Sequence, residues 1–303
     1  NKCGIGFLGS SNNNVIYHNN FINNARQVHD YSLDYPDFPP SINVWDDGYP
    51  SGGNYWSDYN GTDINEDSIG DTPYVIDANN QDNYPLMGPW TVGGQNVTVT
   101  PSNDVTITFG NVTSEGITTL NVSSTGPEPP SGFKLTTETP TYYDIKTTAN
   151  YTGPIQLSVT YNDTGLTQDQ ENNLRLMHWN ETLQQWIDIT TSIDTENDII
   201  YGETSHLSIF GVMLSPNIAT TSTTVSKTVI GQGYSITINV TVENHGGYTE
   251  TFNATVQANT TIIQTKTITL TSGNSSTVTF AWNTTDFAKG NYTISAVADQ
   301  VPG

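Results

Sequence analysis

The sequence is poor in three things: cysteine, basic side chains and long apolar runs. Cys3 is the only cysteine among 303 residues, so no disulfide can form within the chain. No apolar run approaches the roughly 18 residues that a membrane-spanning helix needs, which excludes direct membrane insertion by this segment. Eight Lys and Arg residues stand against 30 Asp and Glu, a formal net charge of -22, so nucleic acid and anionic lipid are poor partners.

The acidic residues are concentrated rather than evenly spread. Between Arg26 and Lys134 there is no Lys or Arg, although 15 of the 30 acids fall there. Residues 214–303, in contrast, carry four acids and three bases. An acidic segment without basic neighbours favours bound cations, and an acidic, salt-adapted surface is the alternative explanation.

Residues 1–90 are rich in Asn, Asp, Gly and Tyr, and their first part alternates short apolar runs with Asn pairs. Units of this kind stack into parallel β-helices, in which Asn side chains form ladders at the turns. The pattern continues into the sequences NYWSDY at 54–59 and DTPYVID at 71–77. It resembles the last coils of a NosD-like right-handed β-helix, the carbohydrate-binding and sugar-hydrolysis repeat, with a tail common in archaeal surface proteins.

This resemblance implies a β-helix end with an aromatic cap over residues 1–90. We expect little more than one coil here, whereas about three are needed for stability, so more β-helix should precede Asn1. The apolar residues of this coil then require cover from upstream chain, from a neighbouring sandwich or from another copy of the protein. They are Ile5, Phe7, Val15, Ile16 and Phe21.

Residues 91–213 contain short β-rich runs and a predicted hairpin at 176–189 that pairs Trp179 with Trp186, which indicates a β-sandwich. The sequence LRLMHW at 174–179 resembles an accessory β domain of bacterial and archaeal surface proteins.

Residues 214–303 show the clearest strand periodicity, because Ile236, Ile238, Val240 and Val242 alternate with polar residues. The sequences VENHG at 242–246 and YTISAVAD at 292–299 resemble the CARDB-type adhesion domain, which implies an immunoglobulin-like fold. The predicted fold is therefore all-β: a terminal β-helix coil and cap at 1–90, followed by two β-sandwich (immunoglobulin-like) domains at 91–213 and 214–303.

Asn-x-Ser/Thr sequons are enriched after residue 90. There, 12 of 18 Asn residues begin a sequon, whereas about five would do so by chance. Strand alternation places those at Asn239, Asn253 and Asn283 on the solvent face, where an N-linked glycan must attach; the β-propensity of Thr is the alternative origin of the pattern. The predicted glycosylation sites are Asn60, Asn96, Asn111, Asn121, Asn150, Asn162, Asn180, Asn239, Asn253, Asn259, Asn274, Asn283 and Asn291.

A candidate Ca²⁺ loop places oxygen ligands at alternate positions: Asp63, Asn65, Asp67, the Ile69 carbonyl and Asp71. It resembles the calcium loops of dockerins and thrombospondin type-3 repeats. Ser68 replaces the usual Gly and no Glu stands at the twelfth position, so the loop is not an EF-hand. A metal-free loop built from Asx turns is the alternative.

Other residues give weaker signals. The aromatic residues between Tyr31 and Trp90 either stack on sugars or cap the β-helix core. The five histidines are dispersed, without paired spacing for Zn or Cu, which favours structural roles. The adjacent acids Asp46 and Asp47 suit a solvated loop better than a glycosidase pair.

These features predict a structural, glycosylated protein of the cell surface: a subunit of a surface layer, sheath or extracellular filament, as in archaeal surface proteins, with other copies of itself as partners and no catalytic activity. The alternatives are a carbohydrate-binding adhesin that contacts surface polysaccharide, and the accessory part of a β-helix polysaccharide-degrading enzyme. The enzyme alternative rests on fold analogy alone.

Overall fold

The computed structural model describes residues 3–8, 10–35, 37–130, 132–136 and 141–299. The chain forms two compact units. The first comprises Asn1–Val122, Tyr143–Val159 and Tyr201–Ile209, and the second comprises Ser123–Tyr142, Thr160–Ile200 and Phe210–Gly303. Nearly all regular structure is β, which confirms the predicted fold class, and no described helix has the length and apolarity that a membrane crossing requires. The predicted domain boundaries at 90 and 213 stay predictions.

The first unit begins with short strands wound into stacked coils. These strands are β1 (Ile5–Phe7), β2 (Asn20–Phe21), β3 (Val28–Asp30), β4 (Tyr55–Trp56), β5 (Tyr74–Val75), β6 (Gln81–Asp82) and β7 (Trp90–Thr91). β1 pairs in parallel with β3, and β2 with β4. A parallel bridge from Tyr55 to Leu86 adds a third pass of the chain. The expectation of little more than one coil is therefore wrong, because three successive passes stack on one another.

Two ladders of polar side chains hold the three passes in register. In the first, Asn14 Nδ2 donates to Asn43 Oδ1 at 2.9 Å, and the Asn43 N–H donates to Asn80 Oδ1 at 2.9 Å. In the second, Asn19 Nδ2 donates to Asn54 Oδ1 at 3.0 Å, and the Asn54 N–H donates to Asp82 Oδ2 at 2.7 Å. Each ladder satisfies backbone groups that the turns would leave unpaired.

The core of the coils is an aromatic cluster. Phe7, Phe21, Trp45 and Trp56 are buried, and Ile5 and Ile16 pack against them half-buried. Trp56 lies in a stack, with its ring centroid 4.2 Å from Phe21 and 4.4 Å from Tyr74. The chain itself thus covers Phe7 and Phe21, whereas Val15 stays exposed.

The first unit continues with long antiparallel strands. The strands that lie wholly or mainly in the first unit are β8 (Gly94–Ser102), β9 (Val105–Ser114), β10 (Gly116–Ser123), β12 (Tyr142–Thr147), β13 (Asn150–Thr160) and β17 (Ile199–Thr204). Four of them, β8, β9, β13 and β17, lie in one sheet. β9 pairs with β8 on one side and β13 on the other, which buries Ile107, Phe109 and Ile155.

The second unit contains β11 (Lys134–Leu135), the short helix α1 (Gln168–Glu171), β14 (Leu174–Asn180), β15 (Gln185–Asp188), β16 (Thr190–Asp194) and β18 (Ile209–Leu214). β14 pairs with β15 in the predicted hairpin, in which Trp179 lies opposite Trp186. β18 pairs with β14 and with β11.

The second unit ends in an immunoglobulin-like sandwich of two three-stranded sheets. Its strands are β19 (Ile218–Val225), β20 (Ser235–Asn244), β21 (Glu250–Ala258), β22 (Thr261–Leu270), β23 (Ser275–Asn283) and β24 (Ile294–Ala298). One sheet has the order β19-β20-β23 and the other β22-β21-β24. Ile238, Val240 and Val242 are fully buried between them, as their alternation with polar residues predicts.

Candidate functional site

All thirteen sequon asparagines lie in described parts of the chain, and none of them is buried. Ten are exposed, and the other three, Asn111, Asn180 and Asn253, are half-buried. On the β20–β23 pair, Asn239 and Asn283 face solvent while their neighbours Val240 and Trp282 are buried. The chain thus places the amide groups where a glycan could attach, and their occupancy stays a prediction.

Two sequons adopt an Asx turn that presents the amide nitrogen. Asn162 Oδ1 accepts from the Thr164 N–H at 2.9 Å. Asn283 Oδ1 accepts from the Thr285 N–H at 3.0 Å and from Thr285 Oγ1 at 2.6 Å. In each case the third residue of the sequon folds back on the Asn carbonyl oxygen. The Nδ2 atom, to which a glycan attaches, then points away from the hydrogen-bonded oxygen.

The predicted calcium loop is curled around Asp63. Its two carboxylate oxygens accept from the N–H groups of Asp67 at 3.1 Å and Ser68 at 2.8 Å. Asp67 accepts from the Ile69 N–H and from Asn65 Nδ2, both at 2.9 Å, and Asp71 accepts from the Ile64 N–H at 2.6 Å. Within the described residues, no three His, Cys, Asp or Glu side chains converge as metal ligands. The loop's oxygens are thus engaged by its own N–H groups, and calcium binding stays a prediction.

Melting curves recorded with chelator and with added Ca²⁺ test the calcium prediction. If Asp63, Asn65, Asp67, Ile69 and Asp71 hold Ca²⁺, excess chelator lowers the melting temperature and added Ca²⁺ restores it by mass action. The Asp67→Asn variant removes one negative ligand but keeps an acceptor for the Ile69 N–H, so it should lose the response to Ca²⁺.

The matched control for this measurement is Asp77→Asn, which alters an Asx turn outside the motif, where Asp77 accepts from the Asn79 N–H at 2.7 Å. This variant should respond to Ca²⁺ as the wild type does. A wild-type melting curve that excess chelator leaves unchanged would show that the loop's own hydrogen bonds suffice.

Asp82 is a buried carboxylate that sequence patterns did not single out. It accepts from Trp56 Nε1 at 2.9 Å and from the N–H groups of Asn54 and Tyr84, and it is fully shielded from solvent. Burial, which outweighs these hydrogen bonds, raises the pKa of Asp82 to about 6. A Cβ at Gly53 would overlap this carboxylate, so only glycine fits beside it. No local sequence pattern marks Asp82 as a buried acceptor. Its role becomes visible only in its contact with Asn54, 28 residues away in the sequence.

Asp46 and the two histidines of the N-terminal coils are engaged in the structure. Asp46 accepts from the Gly48 N–H and from both the N–H and Nδ2 of Asn83. His29 has Arg26 Nη1 at 2.7 Å from Nδ1 and Asp34 Oδ2 at 2.9 Å from Nε2. His18 has the Ser51 carbonyl at 2.9 Å and stacks on Trp90. These contacts give each group a structural role.

The aromatic residues of the N-terminal segment divide into two groups. Trp45, Trp56 and Tyr74 belong to the core cluster, as the capping alternative expects. Tyr31, Tyr35 and Phe38, with Leu8, instead line an open cavity of about 450 Å³. This second group is an apolar concave surface that could contact a sugar ring or another apolar group.

Two known families match parts of the chain. Residues 215–301 match the CARDB family, and residues 1–61 match the family described as periplasmic copper-binding protein (NosD). No curated protein matches the chain. The matches confirm the β-helix and immunoglobulin-like content that the sequence motifs predicted. Because these families are periplasmic or extracellular, the chain is an exported β-helix protein with an immunoglobulin-like part.

Proposed function

We propose that this chain is a non-catalytic, N-glycosylated structural module of a cell-surface assembly, such as a surface layer, sheath or extracellular filament. The observation that carries the proposal is the placement of the sequons: all thirteen asparagines are exposed or half-buried, and they are spread over both compact units. Glycans on outer strand faces would hinder unwanted pairing of sheets and stabilise a chain that has no disulfide.

The decisive experiment is a glycopeptide map of native protein. We expect occupancy at most of the twelve sequons after residue 90, including Asn162 and Asn283, whose amide nitrogens are presented by Asx turns. Thr285→Ala should remove the glycan from Asn283 alone, because it destroys that sequon and leaves the others intact. Bare Asn239, Asn253 and Asn283 in native material would contradict the proposal.

Imaging of native material tests the structural part. An ordered lattice or fibre supports a subunit role, whereas isolated molecules on the surface favour an adhesin. The adhesin is the second candidate because Tyr31, Tyr35 and Phe38 expose their rings around one cavity. Polysaccharide would be its partner.

Copper is not part of the proposal. The NosD description names copper for that family, but the two histidines within residues 1–61 have protein partners. A copper ion at His29 would have to displace Arg26 or Asp34. The donor set of the described residues therefore does not fit a copper site.

A further inference from the structure

Asn239 and Asn253 are sequon asparagines at matching places in the immunoglobulin-like sandwich. Asn239 lies on β20, the central strand of one sheet, and Asn253 lies on β21, the central strand of the other. Each Oδ1 accepts a hydrogen bond at 2.8 Å from a threonine hydroxyl directly across the sheet, from Thr279 for Asn239 and from Thr267 for Asn253. The two amides are thus held alike on the oxygen side and differ at the nitrogen, the atom to which a glycan attaches.

The amide nitrogen of Asn253 is engaged by a carboxylate. Its Nδ2 donates to Asp299 Oδ2 at 2.9 Å, and the Asp299 N–H donates to the Asn253 main-chain carbonyl at 2.9 Å. Asn239 Nδ2, in contrast, has no acceptor among the described residues. Asn253 is accordingly half-buried, whereas Asn239 is exposed.

Asn253 connects three strands of its sheet. β21 pairs with β22 on one side and with β24 on the other, and Asp299 directly follows β24. Thr267 holds Oδ1 from one side and Asp299 holds Nδ2 from the other, so the amide cannot turn outward without losing a hydrogen bond. A hydrogen bond to a charged acceptor is among the stronger ones and changes an equilibrium constant by about tenfold.

No other sequon amide donates to a carboxylate within the described residues. Asn111 Nδ2 donates to Thr152 Oγ1 at 3.2 Å, and Asn274 Nδ2 donates to Thr271 Oγ1 in its own turn. These hydroxyl acceptors are neutral, so they hold the amide nitrogen less firmly than a carboxylate does. Asn253 is therefore the sequon whose nitrogen the fold restrains most.

We propose that the folded chain accepts a glycan at Asn239 but not at Asn253, because Asp299 and Thr267 clamp the Asn253 amide to the sheet. Since it selects among the predicted sequons, this proposal rests on the glycosylation in the proposed function. Glycan transfer forms a bond from Nδ2 to the anomeric carbon of a sugar, releases one Nδ2 proton and breaks the bond from that carbon to its phosphate-linked lipid carrier. Nδ2 of Asn253 cannot swing out toward a transferase while the clamp holds.

Glycan transfer to the folded, unglycosylated chain tests the proposal. The chain is incubated with an oligosaccharyltransferase and a lipid-linked oligosaccharide, and glycopeptides are quantified at each sequon. Occupancy at Asn253 should be about tenfold or more below that at Asn239. Asp299→Ala frees Nδ2 and should raise occupancy at Asn253 to the level of Asn239. The control is Asp286→Ala, which removes another exposed acid of the same sandwich and should leave Asn253 as in the wild type.

Short peptides that span the two sequons show whether local sequence explains the difference. Both sequons have the form Asn-x-Thr with a small apolar residue in the middle, Val240 or Ala254. Without the clamp, the two peptides should be modified equally. Equal occupancy of Asn239 and Asn253 in the folded wild type would overturn this proposal and leave the proposed function intact. Native protein without glycans at any sequon would instead contradict the proposed function.

Hydrogen exchange of the side-chain amides, followed by NMR on the unglycosylated chain, supplies a measurement that needs no transferase. The bonded Nδ2 hydrogen of Asn253 should exchange about tenfold more slowly than the Nδ2 hydrogens of Asn239. Asp299→Ala should remove this difference, and Asp286→Ala should preserve it. Equal exchange rates in the wild type would show that no clamp exists and would overturn the proposal.

Discussion

Replacing Trp56 by Ala should lower the free energy of unfolding of the N-terminal coils by about 3–5 kcal/mol. Trp56 is 1% exposed and stacks between Phe21 and Tyr74, so truncation leaves a large cavity at the centre of the core. It also removes the indole donor to Asp82, which then stays buried with one partner fewer. Hydrogen exchange of coil amides measures this loss without assuming that the whole chain unfolds in one step.

Two further variants separate the contributions of packing and hydrogen bonding. Trp56→Phe retains an aromatic ring in the stack and loses the indole N–H, so it should lower the free energy of unfolding less than Trp56→Ala does. Tyr35→Ala removes an aromatic side chain that is 60% exposed and should change stability by no more than about 0.5 kcal/mol. Equal losses for Trp56→Ala and Tyr35→Ala would contradict the assignment of Trp56 to the core.

Asp82 should make the coils less stable as the pH rises from about 4 to about 6. Burial raises its pKa from 3.8 to about 6, so over this window the folded state holds a proton that the unfolded state has released. The contribution of Asp82 to the unfolding free energy therefore falls between about pH 4 and about pH 6 and is constant below and above this range. A shift of this size corresponds to about 3 kcal/mol. Asp82→Asn removes the ionisable group and keeps an oxygen that can accept from Trp56 Nε1 and the Asn54 N–H.

The quantity to measure is the difference in stability between wild type and Asp82→Asn from pH 3 to pH 8, since other acids cancel in that difference. It should shift in favour of the variant by about 3 kcal/mol as the pH rises. Asp46→Asn is the second variant, because the nearby Asp46 charge also raises the pKa of Asp82. Asp46→Asn should lower the pKa of Asp82 and so narrow the pH range over which Asp82 reduces stability. A difference that is constant with pH would refute the assignment.

The immunoglobulin-like part could be predicted closely from sequence because its structure follows a local rule. In β20, alternate side chains face opposite sides of the sheet, so Ile236, Ile238, Val240 and Val242 all enter the core. The sequence therefore specifies both the strand and its buried face. The same alternation predicted exposure at Asn239 and Asn283, whereas Asn253 is half-buried because it bonds to Asp299 and Thr267.

The N-terminal coils were less predictable, since their contacts join residues about 30 positions apart. Composition alone could not separate the buried Trp45 and Trp56 from the exposed Tyr35 and Phe38, because all four lie in one aromatic-rich stretch. The number of coils was underestimated for the same reason: the third pass consists of short strands around Asp82 and Leu86 that carry no repeat signal of their own. Only the spatial register shows that they belong to the stack.

The two polar ladders have a consequence for how such a chain can change length during evolution. The rungs of the first ladder are 29 residues apart between Asn14 and Asn43 and 37 apart between Asn43 and Asn80, yet in both the backbone N–H of the earlier residue donates to Oδ1 of the later one at 2.9 Å. The unequal spacing is absorbed by loops between the passes. Insertions and deletions can therefore accumulate in these loops while the rungs stay aligned, and a whole pass can be duplicated or lost without disturbing the residues above and below it.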